Sequence, residues 1–255
     1  MSPVAAGRPG AGAEFLEPAW HHLAMCGRYV SPEQADIERE WNLVRAPSPF
    51  ARINYNVAPT HQVPGLRTAA EGGVELVALR WGLVPFWAKG VPPKYGTINA
   101  TIERMQEAPT YRGPWRRGQR VIVPALGFYE WHHETGGGKQ PYYIRIGDQA
   151  IFGMAGLWDR SVADDGQAIE SVTLITMPAN AVMARIHNAR ARMPVILARE
   201  DHPAWLSGSA ADALACIRPY ADELMITQPV SARVNSPKNN DAALIEPLPG
   251  PVPRP

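Results

Sequence analysis

The chain has 255 residues, which suits one large domain or two small ones and is long enough for a substantial buried core. Its 25 Lys and Arg nearly balance its 24 Asp and Glu, so the formal net charge is only +1. This balance excludes a protein that binds nucleic acid or membranes through bulk positive charge, but it is compatible with a local basic patch. Only four of the basic residues are Lys. An excess of Arg suits phosphate recognition, and a compositional bias of the genome would produce it as well.

The two cysteines, Cys26 and Cys216, are too few for a disulfide framework, and neither has the Cys or His spacing of a metal site. We therefore expect a reducing, cytoplasmic compartment and no metal or other cofactor. No apolar run approaches the roughly 20 residues of a transmembrane helix, and residues 1–24 lack the features of a signal peptide. The sequence predicts a protein that does not act at a membrane.

Both ends of the chain differ in composition from its middle. Residues 1–24 are rich in Ala, Gly and Pro, and residues 246–255 contain five prolines, which are incompatible with a helix or an inner strand. We expect both segments to be disordered. Residues 25–245 are expected to form one domain, because nothing inside this range resembles a linker or a repeat.

The first predicted element is a helix that begins in the sequence Ser31-Pro32-Glu33-Gln34. Serine is a preferred N-cap, proline is tolerated at the first helical position, and a glutamine at the third completes a capping box. The pattern predicts that Ser31 caps a helix that runs to Trp41.

Residues 120–176 show the short runs of β-branched and aromatic residues that are typical of strands. The run from Gly136 to Lys139 is predicted to be a hairpin turn rather than a phosphate loop, because no helical pattern follows it. The predicted strands occupy residues 120–131, 140–146, 150–156 and 171–176.

Two short helices are predicted after these strands, at about 179–185 and 209–217. Short strands of uneven length with few helices favour an α+β fold. We expect a single domain built on a curved, mainly antiparallel sheet with a barrel-like core and a few flanking helices.

Three residues are candidates for chemistry, and each has a plain structural alternative. Cys26 could be a small buried hydrophobic residue, and His187 could be an ordinary core or surface histidine. Glu130 lies between Tyr129 and Trp131. Either the aromatic neighbours desolvate its carboxylate, which would raise its pKa and suit a general acid, or strand alternation turns it to solvent.

The pair Met25-Cys26 changes the weight of these alternatives. If Met25 is the first residue, its removal leaves Cys26 with a free α-amine beside its thiol. The amine has a pKa near 8 and the thiol about 8.5, so both nucleophiles are partly available at neutral pH. The amine can attack an aldehyde to give a Schiff base, and the thiolate can close onto it as a five-membered thiazolidine. An internal cysteine cannot do this.

Seven blocks in order along residues 25–240 make the chain resemble the SOS response-associated peptidase (SRAP) family, the abasic-site processing proteins. The blocks are Met25-Cys26-Gly27-Arg28-Tyr29, Tyr55-Asn56-Val57-Ala58-Pro59-Thr60, the run from Arg80 to Ala88, Ile98-Asn99-Ala100 with Glu103, Gly127-Phe128-Tyr129-Glu130-Trp131, Lys139-Gln140-Pro141-Tyr142-Tyr143, and Ile186-His187-Asn188 leading to the run from Arg192 to Leu197, before Val234-Asn235.

The resemblance implies a specific activity. Members of the family recognise an abasic site in single-stranded DNA and become covalently attached to it through the N-terminal cysteine, which protects the lesion during the DNA damage response. Cys26 would be the nucleophile, and Asn99 would position the cysteine and the sugar. Glu130 would shuttle protons during ring opening and Schiff-base formation, and His187 would assist at the same centre and help to reverse the link. We expect a monomer that is cytoplasmic and associates with the nucleoid when bound to damaged DNA.

The resemblance also assigns a DNA-binding role to Arg28 and to the pair Arg80-Trp81, with Pro59 and Trp87 as candidates for the channel. A basic groove with an aromatic platform is the usual solution for single strands. Burial in the core is the alternative for both tryptophans, and for Trp87 it is preferred.

Two segments add basic residues near the family blocks. Residues 104–120 carry five Arg and one Glu, and residues 185–199 carry four Arg and no acid. From these segments we predict DNA contacts for Arg104 and Arg192, whereas Arg116 and Arg117 are expected to be plain surface residues.

Two departures from the family pattern bear on the mechanism. Thr101 stands where many members have an Arg, so one phosphate contact is either missing or supplied by Arg104. Residues 1–24 precede the cysteine that must carry a free amine. Either the start codon is misassigned, which we prefer, or the segment is removed, or this chain cannot form the thiazolidine.

Two other classes of function are alternatives. The first is a cysteine peptidase that uses Cys26 with His187, including self-cleavage before Cys26. The second is a non-catalytic module that binds single-stranded DNA. A lyase activity by β-elimination through the Schiff base is an expected side reaction of the leading hypothesis.

Overall fold

The computed structural model describes residues 27–44, 47, 49–94 and 96–249. Cys26 and residues 1–24 lie outside this part of the chain, as does the end of the predicted tail from residue 250. Residues 246–249 are described, and the Leu248 amide donates to the Pro229 carbonyl at 3.0 Å. Within the described residues, no helix is long and apolar enough to span a bilayer.

The fold is α+β, with thirteen strands and five short α-helices among the described residues. The strands are β1 (Arg28–Ser31), β2 (Asn54–Val57), β3 (Gln62–Thr68), β4 (Val74–Trp81), β5 (Asn99–Thr101), β6 (Arg120–Ala125), β7 (Gly127–His133), β8 (Lys139–Ile146), β9 (Phe152–Val162), β10 (Ala168–Pro178), β11 (Arg192–Pro194), β12 (Ile196–Leu197) and β13 (Met225–Pro229). The helices are α1 (Gln34–Glu40), α2 (Arg112–Arg116), α3 (Ala181–Ile186), α4 (His202–Ser207) and α5 (Ala210–Ala215).

The larger of two sheets closes on itself. Its path runs β11-β10-β4-β3-β6-β9-β12, and β9 also pairs with β10, so that β10, β4, β3, β6 and β9 form a ring. Within this ring only β10 and β4 are parallel. Closure gives the inner strands partners on both sides, and apolar residues on the two faces of these strands, including Leu66, Leu79, Ile122 and Leu157, belong to the main hydrophobic core. The expected curved, mainly antiparallel sheet with a barrel-like core is confirmed.

The second sheet has five strands in the order β13-β8-β7-β1-β2. Its central strand, β7, is antiparallel to both β8 and β1. A Cβ atom at Gly127 would lie 2.3 Å from the Tyr143 ring, so the close approach of β7 and β8 at this position requires glycine. A small separate cluster, which includes Val30, Tyr129 and Val234, covers one face of this sheet.

Most predicted elements are confirmed. The turn after β7 joins it to β8 with His133 opposite Lys139, so the glycine run is a hairpin turn. The two short helices after the strands correspond to α3 and α5. The predicted cap of the first helix is wrong, because α1 starts at Gln34 with Glu33 as its N-cap and no side-chain cap, whereas Ser31 belongs to β1. Pairing of Ser31 with Asn54 of β2 extends β1 through this residue.

His202, at the start of α4, makes the stability of the fold depend on pH. Its Nδ1 accepts from Trp41 Nε1 at 3.2 Å, and the two rings stack at 5.6 Å. Burial, assisted by Arg199, lowers the pKa of His202 from 6.5 to about 4. Between these values the unfolded chain binds a proton that the folded chain does not, so the free energy of unfolding falls as the pH drops through this window and is fully retained above it. The whole effect is about 3 kcal/mol.

We expect His202→Gln, which keeps an acceptor for Trp41, to lose less stability than the wild type between pH 7 and pH 4.5 in urea unfolding. His133→Gln, at an exposed hairpin position where the pKa is lowered by a smaller amount, is the comparison variant and should change the pH dependence less than His202→Gln. An unchanged pH dependence in the His202 variant would refute the assignment.

Candidate active site

Glu130 is buried in the middle of β7, with 3% of its surface exposed. Strand alternation therefore does not turn its carboxylate to solvent. It turns Tyr129 and Trp131 to the opposite face of the sheet, so residues other than these two neighbours bury Glu130. The residue lies opposite Tyr142 of β8, and its neighbour Tyr129 lies opposite Arg28 of β1. The carboxylate thus sits at the end of the sheet where β1 begins.

His187 forms the C-cap of α3 and is also buried, with 6% of its surface exposed. Its Nδ1 lies 2.9 Å from the Arg192 carbonyl and 3.8 Å from Glu130 Oε1. Since a carbonyl only accepts, Nδ1 carries the hydrogen, and in the neutral ring Nε2 carries the lone pair. The fold therefore brings a carboxylate and an imidazole together in a region shielded from water.

A two-way amide link holds the end of α3 against β7. Asn188 Oδ1 accepts from the His133 amide at 2.9 Å, and Asn188 Nδ2 donates to the His133 carbonyl at 2.9 Å. His132 Nδ1 adds a bond to the Arg185 carbonyl at 2.8 Å. These contacts fix the distance between Glu130 and His187. Apart from the place of Asn188 in a family block, the sequence carried no signal for them.

Asn99 begins β5, which runs parallel to β10 with Asn99 opposite Leu174. The Tyr111 hydroxyl donates to the Asn99 carbonyl at 3.0 Å and fixes its backbone. Both side-chain amide atoms are buried and have no hydrogen-bond partner among the described residues. A buried amide without partners is costly, and this one lies at the start of β5 beside the cavity described below.

The structure does not bring all predicted DNA contacts to the surface. Arg28 is buried, and its guanidinium donates to Asn56 Oδ1 at 2.9 Å and to the Val234 and Asn235 carbonyls at 2.7 and 3.1 Å. Trp81 is 1% exposed, and its Nε1 donates to the Ile98 carbonyl at 3.0 Å. Trp81 therefore belongs to the core and has no free face for a base, which corrects the expectation of an aromatic platform there.

Trp87 differs from the expectation in the opposite direction. It lies in a short 3-10 turn at Phe86–Ala88 and is 47% exposed, so its preferred assignment to the core was wrong. Its neighbour Phe86 is 55% exposed and lies 5.1 Å from the Arg117 guanidinium. Two adjacent exposed aromatic rings are unusual on a water-exposed surface and form a natural stacking platform.

Arg80 and Pro59 line a cavity of about 210 Å³ together with Lys94 and Thr60. Arg80 Nη1 donates to the Gly82 carbonyl at 2.7 Å, and burial lowers the pKa of Arg80. Thr60 has a φ of 75°, which is strained for a β-branched residue. The cavity reaches Ile98, the residue before Asn99, so a basic groove adjoins β5.

The remaining two predicted contacts have different surroundings. Arg104 is exposed. Arg192 makes a bidentate ion pair with Glu103, at 2.7 and 3.0 Å, and donates to the Thr176 carbonyl at 2.7 Å. Hydrogen bonding to Arg192 lowers the pKa of Glu103 to about 2. No group of three or more His, Cys, Asp and Glu that could hold a metal ion occurs in the described part of the chain.

Comparison with known proteins gives a consistent result. The family model of the SOS response associated peptidase (SRAP) matches residues 25–237. The chain is 36% identical over 227 residues to the abasic site processing protein YoqW of Bacillus subtilis, covering 87% of this chain and 99% of YoqW. It is 31% identical over 236 residues to the abasic site processing protein HMCES of Gallus gallus, covering 80% of this chain and 68% of HMCES.

Solved structures agree with this match. A crystal structure of a protein from Bacteroides thetaiotaomicron has a TM-score of 0.77 at 28% identity, covering 88% of this chain and all of that one. A protein from Bordetella bronchiseptica has a TM-score of 0.69 at 27% identity, with 81% and 100% coverage.

Proposed function

The chain belongs to the SRAP family, and from this premise we propose that it processes abasic sites in single-stranded DNA by linking them covalently to Cys26. The observation that carries the proposal is the buried pair of Glu130 and His187, 3.8 Å apart at the end of the sheet where β1 begins. Cys26 precedes β1 by only two residues.

The proposed reaction needs two proton-transfer sites and two nucleophiles, the α-amine and the thiol of Cys26. The α-amine of Cys26 adds to the C1 aldehyde of the ring-opened sugar, and loss of water from the carbinolamine gives the Schiff base. The thiolate then adds to the imine carbon, and the imine nitrogen takes up a proton to complete the thiazolidine. Glu130 protonates the departing oxygen, and His187 accepts a proton from the attacking groups.

Asn99 supports this proposal by its unpartnered amide, which has one donor group and one acceptor to offer to the sugar and the cysteine. Along the adjoining groove, Arg80 and Lys94 supply positive charge to a phosphodiester, and Pro59 lines its wall. The exposed Trp87 and Phe86 serve as the base-stacking platform, and Arg104 is the exposed cation nearest in sequence to β5. We leave Arg28 and Trp81 out of the DNA interface because both are buried.

The decisive experiment mixes protein that starts at Cys26 with a single-stranded oligonucleotide containing one abasic site, followed by denaturing electrophoresis. We expect a shift without added reductant that Cys26→Ala abolishes. Cys216→Ala is the matched control, because Cys216 is 3% exposed and burial raises the pKa of its thiol, so its loss should leave the shift intact.

The other outcomes of this experiment would overturn the proposal. A shift that needs borohydride indicates an ordinary Schiff-base lyase. Salt-sensitive binding of intact strands without any covalent product indicates a binding module. In a parallel reaction with the chain from Met1, release of the residues before Cys26 that depends on Cys26, without DNA attachment, indicates a self-processing peptidase.

A further inference from the structure

The Glu103–Arg192 ion pair is connected to the candidate active site by the main chain of Arg192, and no side chain of the pair contacts His187 in the hydrogen bonds described above. The Arg192 carbonyl is the acceptor for His187 Nδ1, at 2.9 Å. The same residue has its guanidinium fixed by Glu103 and by the Thr176 carbonyl. Arg192 therefore orients the His187 ring with its carbonyl while its own side chain is held by the salt bridge to Glu103.

The main chain at that carbonyl is held by strand pairing, with Arg192 opposite Pro178 of β10 and the Ala179 amide donating to the Ala191 carbonyl at 2.9 Å, and the salt bridge adds a restraint from the side chain. The Ala191 amide donates back to the His187 carbonyl at 2.7 Å, and Ala191 has a φ of 47°, a left-handed conformation that disfavours residues other than glycine. A loop that contains a strained residue holds its geometry only when its ends are fixed. One end is fixed by α3, where the His187 amide donates to the Met183 carbonyl at 2.7 Å, and the other end is fixed at Arg192.

The guanidinium of Arg192 is poorly suited to binding DNA. Its side chain is 15% exposed, and the fork that would grip a phosphate is occupied by both carboxylate oxygens of Glu103. A phosphate would have to displace this carboxylate. These contacts favour a structural role for Arg192 over the DNA contact that was predicted from the basic segment 185–199.

We propose that Glu103 is a positioning residue, which acts through Arg192 to hold His187 in the tautomer with hydrogen on Nδ1 and the lone pair on Nε2. This inference rests on the proposed function for its catalytic consequence, but the tautomer itself can be measured without DNA. The pair of Glu103 and Arg192 stabilises the ring orientation in which Nε2 is the basic atom, as outer partners of catalytic histidines commonly do.

The test compares Glu103→Gln with Glu103→Asp and with Glu107→Gln, an exposed glutamate on the next turn that serves as the matched control. Imidazole ¹⁵N shifts of the full chain, recorded at a pH where His187 is neutral, report the tautomer. We expect the Nδ1–H form to dominate in the wild type and in the control, to become mixed in Glu103→Gln, and to be restored in Glu103→Asp. An unchanged His187 signal in Glu103→Gln would overturn the proposal.

Capture kinetics give a second, independent readout with protein that starts at Cys26. Glu103→Gln should slow covalent capture at saturating DNA by about tenfold while the Kd for the abasic strand stays within about twofold. A tighter Kd with a steeper salt dependence and an unchanged capture rate would instead indicate that the freed Arg192 contacts a phosphate, and would refute the positioning role. If no variant forms a covalent product at all, the proposed function fails, and the NMR result alone still decides the role of Glu103.

Discussion

Replacing Glu130 by Gln is expected to slow covalent capture of an abasic strand by about 100-fold at saturating DNA, with little change in Kd. The amide has nearly the same shape as the carboxylate, but it can neither give a proton to the departing oxygen nor take one back. Because Glu130 is 3% exposed, bulk water cannot readily replace it as the proton carrier. Single-turnover measurement of the denaturation-resistant product would give the rate.

Glu134→Gln is the matched control for this prediction. Glu134 lies in the hairpin turn just after β7 and is exposed, so its replacement removes the same charge from the same hairpin outside the buried pair. Equal slowing of capture in both variants would mean that the loss of one negative charge in the hairpin, rather than the loss of a proton donor, lowers the rate. A Glu130→Gln variant that captures DNA at the wild-type rate would exclude the carboxylate from proton transfer.

Taken singly, Glu130 and His187 were weak signals, and only the family blocks singled them out. A carboxylate between two aromatic residues in a strand left burial and exposure equally open, and the structure shows that Glu130 is buried. The pairing of Glu130 with His187 was accessible only through the family blocks. The residues are far apart in sequence, and the contact depends on how α3 packs against β7.

The strands of the first half of the barrel were not predicted, and β3 shows why. Its sequence contains Pro64 and Gly65, which are turn residues by propensity. In the barrel Gly65 is required because a Cβ there would lie 2.7 Å from Leu79 Cδ1 on β4. Close packing between strands overrides the local preference, and no local pattern reports that packing.

Trp81 and Trp87, which lie in one family block, also show that burial cannot be predicted from a local sequence pattern. They lie six residues apart with the same side chain, yet one is enclosed by the barrel and the other is exposed in a 3-10 turn. Trp81 ends β4, where the parallel register with β10 places it opposite Val172. A sequence pattern that counts hydrophobic residues cannot separate these cases, because burial is decided by which strand closes the ring.

The basic side chains of Arg28 and Arg192 were likewise misjudged, since their partners are distant carbonyls and one carboxylate.

Retaining even one residue before Cys26 is expected to reduce stable covalent capture by at least about 100-fold, because an amide nitrogen has no basic lone pair with which to form a Schiff base. The thiol alone can add to the aldehyde, but that hemithioacetal reverses on denaturation.

The comparison needs three proteins: the chain from Met1, a chain with a single Ala before Cys26, and a chain that starts at Cys26. Intact mass must establish the first residue of each protein before and after incubation. Capture by the last protein alone supports the amine mechanism, and capture by the chain from Met1 after loss of residues 1–25 supports it as well. Stable capture by the protein that still carries Ala before Cys26 would exclude a thiazolidine and leave only chemistry that an internal cysteine can perform.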